Sequence, residues 1–313
     1  MVLTNTSKIL INYYNKLNIS FERRKNIDFL HKKIFNILEN ENIQNIRNEL
    51  INNENKKIIK SNLLKHFINN LYVTDEIKSY IKEKKEEILY YNIRFNNTYI
   101  KIYFFIYEKG DKYEMYDKIS KNMVMVINLI VKLMKKEVED MVCSKDGLNI
   151  YILLTPFKRM INKKEILSAV HTNGGFSYGC RNRGDIIVYR REDYFKVFIH
   201  ELIHNFGYDG YLFKSRKVYE KINNNFNLRN MDLSIYEGLT EFWAVIINVS
   251  FLSFCMNRMN INKYILCFNK LINYEIIHGL FQSNKILQNY DLDYNKLLYD
   301  RNELKYDENT HIF

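Results

Sequence analysis

The pentapeptide His200-Glu201-Leu202-Ile203-His204 constrains this chain more than any other stretch. Two histidines four residues apart share one face of a helix, so both imidazoles can reach one metal ion. Glu201 stands beside them and is the residue type that serves as general base on a metal-bound water. The segment must therefore be helical, must bury one side, and must meet another element that delivers a further ligand. Phe195, Phe198, Leu202 and Phe206 recur at spacings of three and four, as a half-buried helix requires. Gly207 comes next, where a helix C-terminus wants a residue tolerant of positive φ.

The remainder of the 313 residues can build a large core: 47% are hydrophobic and 15% aromatic, which argues against global disorder. A single Pro and ten Gly imply much regular structure. The formal charge of +11 is uneven, at +5 over residues 1–90, +7 over 91–199 and −1 over 200–313. The basic excess lies upstream of the histidine pair. It permits weak contact with nucleic acid or another anionic partner, without any motif of a nucleic-acid module. Cys143, Cys180, Cys255 and Cys267 form no CxxC pair, and their spacing suggests no disulfide framework. Cys255 and Cys267 sit in apolar helical patterns and read as buried thiols. A reducing, cytoplasmic setting is the simpler expectation, since Met1 to Lys8 lacks the layout of a signal peptide. The apolar runs Met123–Met134 and Phe242–Met256 are shorter than a spanning helix needs, so no transmembrane segment is expected.

Along the chain, residues 1–90 read as a helical accessory or pro-region, with apolar spacing at Phe29-Leu30, Ile34-Phe35 and Ile37-Leu38. Residues 91–290 read as one α+β, helix-rich catalytic domain, and 291–313 as a polar tail. Alternation around Asn96-Asn97 predicts a hairpin. A long helix is predicted over Tyr113–Lys136, a buried strand over Leu148–Leu154, extended stretches within Ile166–Tyr178 and over Asp185–Arg190, and helices over Tyr236–Met256 and Asn262–Leu280.

Two histidines leave a catalytic metal short of a third protein ligand. Glu237 and Glu241, four apart in an otherwise apolar helical segment, share a face. One carboxylate, Glu237, can bind metal. The other, Glu241, can accept a hydrogen bond from the outer nitrogen of a ligand histidine and so fix its tautomer.

At this point the chain resembles the gluzincin clan of zinc metallopeptidases, which pair HExxH with a downstream helix carrying a Glu ligand and an acidic residue four positions later. The resemblance implies a zincin-like domain, with a small mixed sheet, the HExxH helix and a helical lower half. It implies Zn²⁺ held by His200, His204 and Glu237, Glu201 as the base, and Glu241 behind a ligand histidine. Phe198 to Glu201, Phe206-Gly207 and Glu241 to Ala244 further resemble metallopeptidases of large DNA viruses, which implies a viral protein in host cytoplasm or virion. The resemblance covers about residues 145–250. Two other third ligands compete with Glu237. A metzincin pattern would place its last ligand at Gly210, which has no side chain to offer, with Asp209 one residue early. Cys180 could serve as in peptide deformylases, but their wider cysteine motif is missing.

The expected activity is zinc-dependent hydrolysis of a polypeptide, most simply as an endopeptidase. Gly174, Gly175 and Phe176 lie where an edge strand would pair with extended substrate, the two glycines allowing close backbone approach. Tyr208, Tyr236, His171 and His278 are candidate donors to the oxyanion, among which the sequence does not choose, although a core or surface place is the simpler reading of His278. The rival from another class is a non-enzymatic, basic virion or nucleic-acid-associated protein with a structural or decayed metal site. An intact Glu201 counts against that rival, because a structural site needs no base.

Overall fold

The computed structural model describes residues 5–16, 27–39, 56–59, 73–83, 87–95, 98–107, 113–134, 143–160, 167–209, 220–221, 236–258 and 260–295. It is mixed α+β and rich in helix. The elements in chain order are α1 (Asn5–Lys16), α2 (Ile27–Glu39), β1 (Lys56–Ile59), α3 (Asp75–Glu83), β2 (Glu87–Phe95), β3 (Thr98–Ile106), α4 (Tyr113–Met134), β4 (Gly147–Thr155), α5 (Ala169–Thr172), β5 (Gly175–Ser177), β6 (Arg183–Arg190), α6 (Tyr194–Asn205), α7 (Tyr236–Met256) and α8 (Ile261–Asn289).

One six-stranded mixed sheet, in the order β1-β2-β3-β4-β6-β5, organises these elements. β2 and β3 form the expected antiparallel hairpin, with Phe95 opposite Thr98. β3 and β4 run parallel, as do β4 and β6, and the short β5 closes the edge antiparallel to β6. The parallel step from β3 to β4 needs a crossover, and α4 supplies it.

Strand alternation sends two sets of side chains to opposite faces. Ile100, Ile102 and Phe104 of β3, Ile150 and Ile152 of β4, and Ile186 and Val188 of β6 face the main core. There they meet α2, α4, α6 and α7. Phe105, Tyr151, Leu153, Ile187 and Tyr189 face a second, smaller core capped by Val73, Ile77 and Ile81. β1 pairs with β2, and Ile34, Phe35 and Leu38 of α2 lie in the main core. These two elements of residues 1–90 thus share one sheet and one core with the elements of residues 91–290.

The predicted helices and strands agree with these elements at most places. The extended stretch expected within Ile166–Tyr178 is the short strand Gly175–Ser177, which follows the short helix α5. α8 runs nine residues past the expected Leu280, to Asn289. The predicted tail overlaps the described residues only to 295.

The cysteine reading needs correction. Cys143 and Cys180 form a disulfide with Cα atoms 4.8 Å apart. Cys143 sits just before β4 and Cys180 just before β6. Those strands are parallel neighbours, so their leading turns lie side by side, joined also by Ser144 N donating to Arg181 O and Asp146 N to Asn182 O. The pairing is a product of strand order, which residue spacing does not encode. It takes away the cysteine-spacing argument for a reducing compartment. Cys255 and Cys267 lie outside the disulfide and are half-buried, less enclosed than expected.

α7 spans 21 residues and, by length and composition alone, could cross a membrane. The helix begins at Tyr236, ahead of the Phe242 that opens the apolar run in the sequence reading. Here it packs against α6, α8 and α2, burying Thr240, Ala244, Ile247, Phe251 and Phe254.

Candidate metal centre

α6 carries the histidine pair because its apolar side is fully engaged. Phe198, Ile199 and Leu202 are wholly buried against β6 and α7, and Phe206 nearly so. The helix ends as expected, with Gly207 at φ 70°. The positive φ favours glycine, and a Cβ there would also crowd the disulfide, at 3.2 Å from Cys180 Cβ and 3.3 Å from Cys143 Sγ. Asn205 anchors the same end: its side chain accepts from Ser144 Oγ at 2.7 Å and donates to Tyr178 O at 3.3 Å.

α7 crosses α6 and brings Glu237 to the histidines. His200 Nε2 and His204 Nε2 are 3.0 Å apart, and each lies 3.2 Å from Glu237 Oε2. A tetrahedral ion with bonds of about 2.0–2.1 Å sets its ligand atoms about 3.3–3.4 Å apart. The three atoms need to spread by only a few tenths of an ångström to hold one.

The outer nitrogens explain why these atoms converge. His200 Nδ1 lies 3.2 Å from Glu241 Oε2, and His204 Nδ1 lies 2.7 Å from Asp209 Oδ2. A carboxylate only accepts, so each Nδ1 carries the proton. In the neutral rings both Nε2 atoms then present lone pairs to each other and to Glu237. Three acceptors at this range repel unless something positive lies among them, either protons or a metal cation.

The electrostatics of the metal-free centre reflect this arrangement. Burial opposes charge on both imidazoles, but it is outweighed. Hydrogen bonds to Glu237 and Glu241 push His200 up to about 9, and those to Asp209 and Glu237 push His204 up to about 10. Burial likewise opposes charge on Glu237 and Glu241, yet bonds from the histidines, and from Lys196 to Glu241, hold each at about 2. Glu201 is 8% exposed, and burial raises its carboxyl against the lowering effect of the two imidazoles.

The other expected site residues lie at varied distances from this triad. Gly175 and Phe176 lie on the edge strand β5, directly after Gly174. Other parts of this chain come close at both glycines: β6 and α6 at Gly175, and Arg159 and α6 at Gly174. A Cβ on Gly175 would lie 2.6 Å from Ile187 O, 2.8 Å from Val197 Cγ1 and 3.4 Å from Glu201 Cγ. At Gly174 it would meet Arg159 Nη2 at 2.6 Å and Val197 Cγ2 at 3.0 Å. Phe176 buries its ring in the second core. Ser177 Oγ donates to Glu201 O at 3.1 Å, tying β5 to the metal helix at the base. Tyr208 is 9% exposed and packs edge-on against Phe206, with burial pushing its phenol up to about 12. Tyr236 opens α7 beside Glu237 and is half-buried. His171 Nδ1 accepts from Ser168 N, and His278 bonds to Tyr14 of α1 and Gln282. Neither belongs to the triad. Asp209 supports His204 from behind, and Cys180 is in the disulfide, so neither is the third member.

Two contributors escape the sequence reading: Asp209 in this supporting role, and Lys196, whose ammonium pairs with Glu241. Asp209 comes just after the αL reversal at Gly207. Lys196 sits one helical turn before His200, a spacing that could have marked it.

No family model and no solved structure matches the chain. Over 110 residues it is 29% identical to an uncharacterized protein of Acanthamoeba polyphaga mimivirus, a match covering 35% of this chain and 27% of that protein. The chain thus aligns with about a quarter of that relative's length. The similarity links it to a large DNA virus and carries no information on activity.

Proposed function

We propose that this chain is a zinc-dependent peptidase of gluzincin type, built on a zincin-like arrangement of sheet, HExxH helix and ligand-bearing helix. One observation carries the reading: two imidazole Nε2 atoms and one Glu237 oxygen converge within 3.2 Å while carboxylates engage both outer nitrogens. A donor set of two neutral imidazoles and one carboxylate, with Glu201 adjacent, suits zinc held for catalysis. Bound there, zinc would polarise the scissile carbonyl and acidify the attacking water.

The chain's own residues supply the rest. Glu201, buried beside the histidines, takes the proton of the attacking water and returns it to the leaving amine. β5 is the last strand of the sheet, and its outer edge is the place for an extended polypeptide to pair by main-chain hydrogen bonds. Ser177 fixes that edge to the backbone of Glu201, which aligns a paired substrate with the base. Tyr236 is the better-placed oxyanion donor, since it adjoins Glu237 and is less enclosed than Tyr208.

The test is Glu201→Gln beside Glu237→Ala. Glu201→Gln should keep zinc and lose peptide cleavage by about 10²–10⁴-fold. Glu237→Ala should lose zinc. Cleavage at the wild-type rate by Glu201→Gln would remove Glu201 as the base. A zinc-loaded wild type without peptidase activity, but with steeply salt-dependent DNA binding, would favour the basic, non-enzymatic alternative.

A further inference from the structure

The two ligand histidines are backed by different devices. Asp209 reaches His204 on a short side chain from a turn that Gly207 and the disulfide fix, at 2.7 Å. Glu241 reaches His200 on a longer side chain that is 44% exposed, at 3.2 Å. A long, half-exposed carboxylate has rotamers that point to water, so something must select the one facing His200.

Lys196 makes that selection geometrically. It lies on α6 one turn before His200, and its Nζ contacts Glu241 Oε1 while His200 Nδ1 faces Oε2 of the same carboxylate. One carboxylate is thus spanned between an ammonium and an imidazole of the same helix. Glu275 of α8 lies within electrostatic reach of both Lys196 and Glu241. Without the ammonium, two carboxylates would repel there and drive Glu241 outward.

We propose that Lys196 is a positioning residue for the metal centre, clamping Glu241 so that it holds His200 in the metal-binding tautomer and orientation. The inference rests on the proposed metal site and adds a residue to it.

The experiment measures zinc dissociation constants by competition with a chromophoric chelator, for the full chain and for Lys196→Met, Lys196→Gln, Lys196→Arg, Glu241→Gln and the double variant Lys196→Met/Glu241→Gln. Thermal melts of the metal-free forms accompany it. Lys196→Met and Lys196→Gln should each weaken zinc binding about 10–100-fold, the range for lost outer partners of a ligand. Lys196→Arg should restore most of it. The double variant should bind no more weakly than Glu241→Gln alone, because the lysine acts only through that carboxylate. Wild-type affinity in Lys196→Met and Lys196→Gln, with or without a lower melting temperature, would overturn the proposal. Full additivity in the double variant would do the same. A folded wild type that takes up no zinc would refute the metal site itself, and this inference with it.

Discussion

Metal uptake should expel protons, and the centre sets the number. In the metal-free protein hydrogen bonds to carboxylates outweigh burial and raise the histidines from 6.5 to about 9 and about 10, so the centre favours Nε2 protonation at neutral pH. The Nδ1 protons stay on the rings, hydrogen-bonded to Glu241 and Asp209, when metal binds, so only Nε2 protons must leave. If each Nε2–H points at Glu237 Oε2, 3.2 Å away, two protons are present. If one Nε2–H instead bridges the 3.0 Å gap between the rings, one is present. Zinc binding at pH 7 should therefore release between one and two protons per ion. Isothermal titration of zinc in buffers of different ionisation enthalpy reads this directly, because the slope of observed heat against that enthalpy equals the protons released. Above about pH 10 the slope should fall toward zero. Stability should obey the same linkage. The raised histidines contribute fully below 6.5 and lose their contribution as pH rises through about 9 and 10. The depressed Glu237 and Glu241 contribute above 4.5 and lose theirs as pH falls through about 2. The metal-free melting temperature should thus decline between pH 7 and 10 while the zinc form holds. A zinc-binding heat independent of buffer at pH 7 would refute the reasoning.

Further predictions concern the scaffold around the centre. Asp209→Asn should weaken zinc about 10–100-fold while leaving the fold intact, read by chelator competition and circular dichroism. Gly175→Ala forces a Cβ to within 2.6 Å of Ile187 O and 2.8 Å of Val197 Cγ1, and should cost about 1–3 kcal/mol in denaturant unfolding. An unchanged unfolding midpoint would show that β5 and α6 are not in such close contact. Reducing the disulfide frees a segment 37 residues long, worth about 4 kcal/mol by chain entropy. The melting temperature should fall by roughly 5–10 °C in reductant, and Cys143→Ser should reproduce the fall without reductant.

The periodic parts of the chain are legible in its sequence, and the tertiary parts are not. α6, α7 and the β2–β3 hairpin announce themselves through local spacing, and so does the carboxylate pair Glu237 and Glu241. Their meeting with His200 and His204 is legible for a chemical reason, since two ligands oblige a third. Asp209 stands out in the sequence only as a rival ligand, because sequence gives its distance from His204 but not the reversal at Gly207 that turns it behind the ring. Gly174 and Gly175 are legible as sites of close approach. That the approaching groups include Val197 of α6 depends on how the helix lies on the sheet edge. Cys143 and Cys180 meet only because β4 and β6 are neighbours, a strand order that no local pattern records. The place of α2 in the core is equally hidden, since an amphipathic face shows that a helix packs but not on what.

The most direct test of the central claim is the zinc content of the purified, folded full chain by elemental mass spectrometry, compared with Glu237→Ala prepared alongside. The account predicts about one zinc per wild-type chain and a large loss in the variant. A folded wild type that neither carries zinc nor takes it up, or a Glu237→Ala variant that keeps it fully, would contradict the site assembled here from His200, His204 and Glu237.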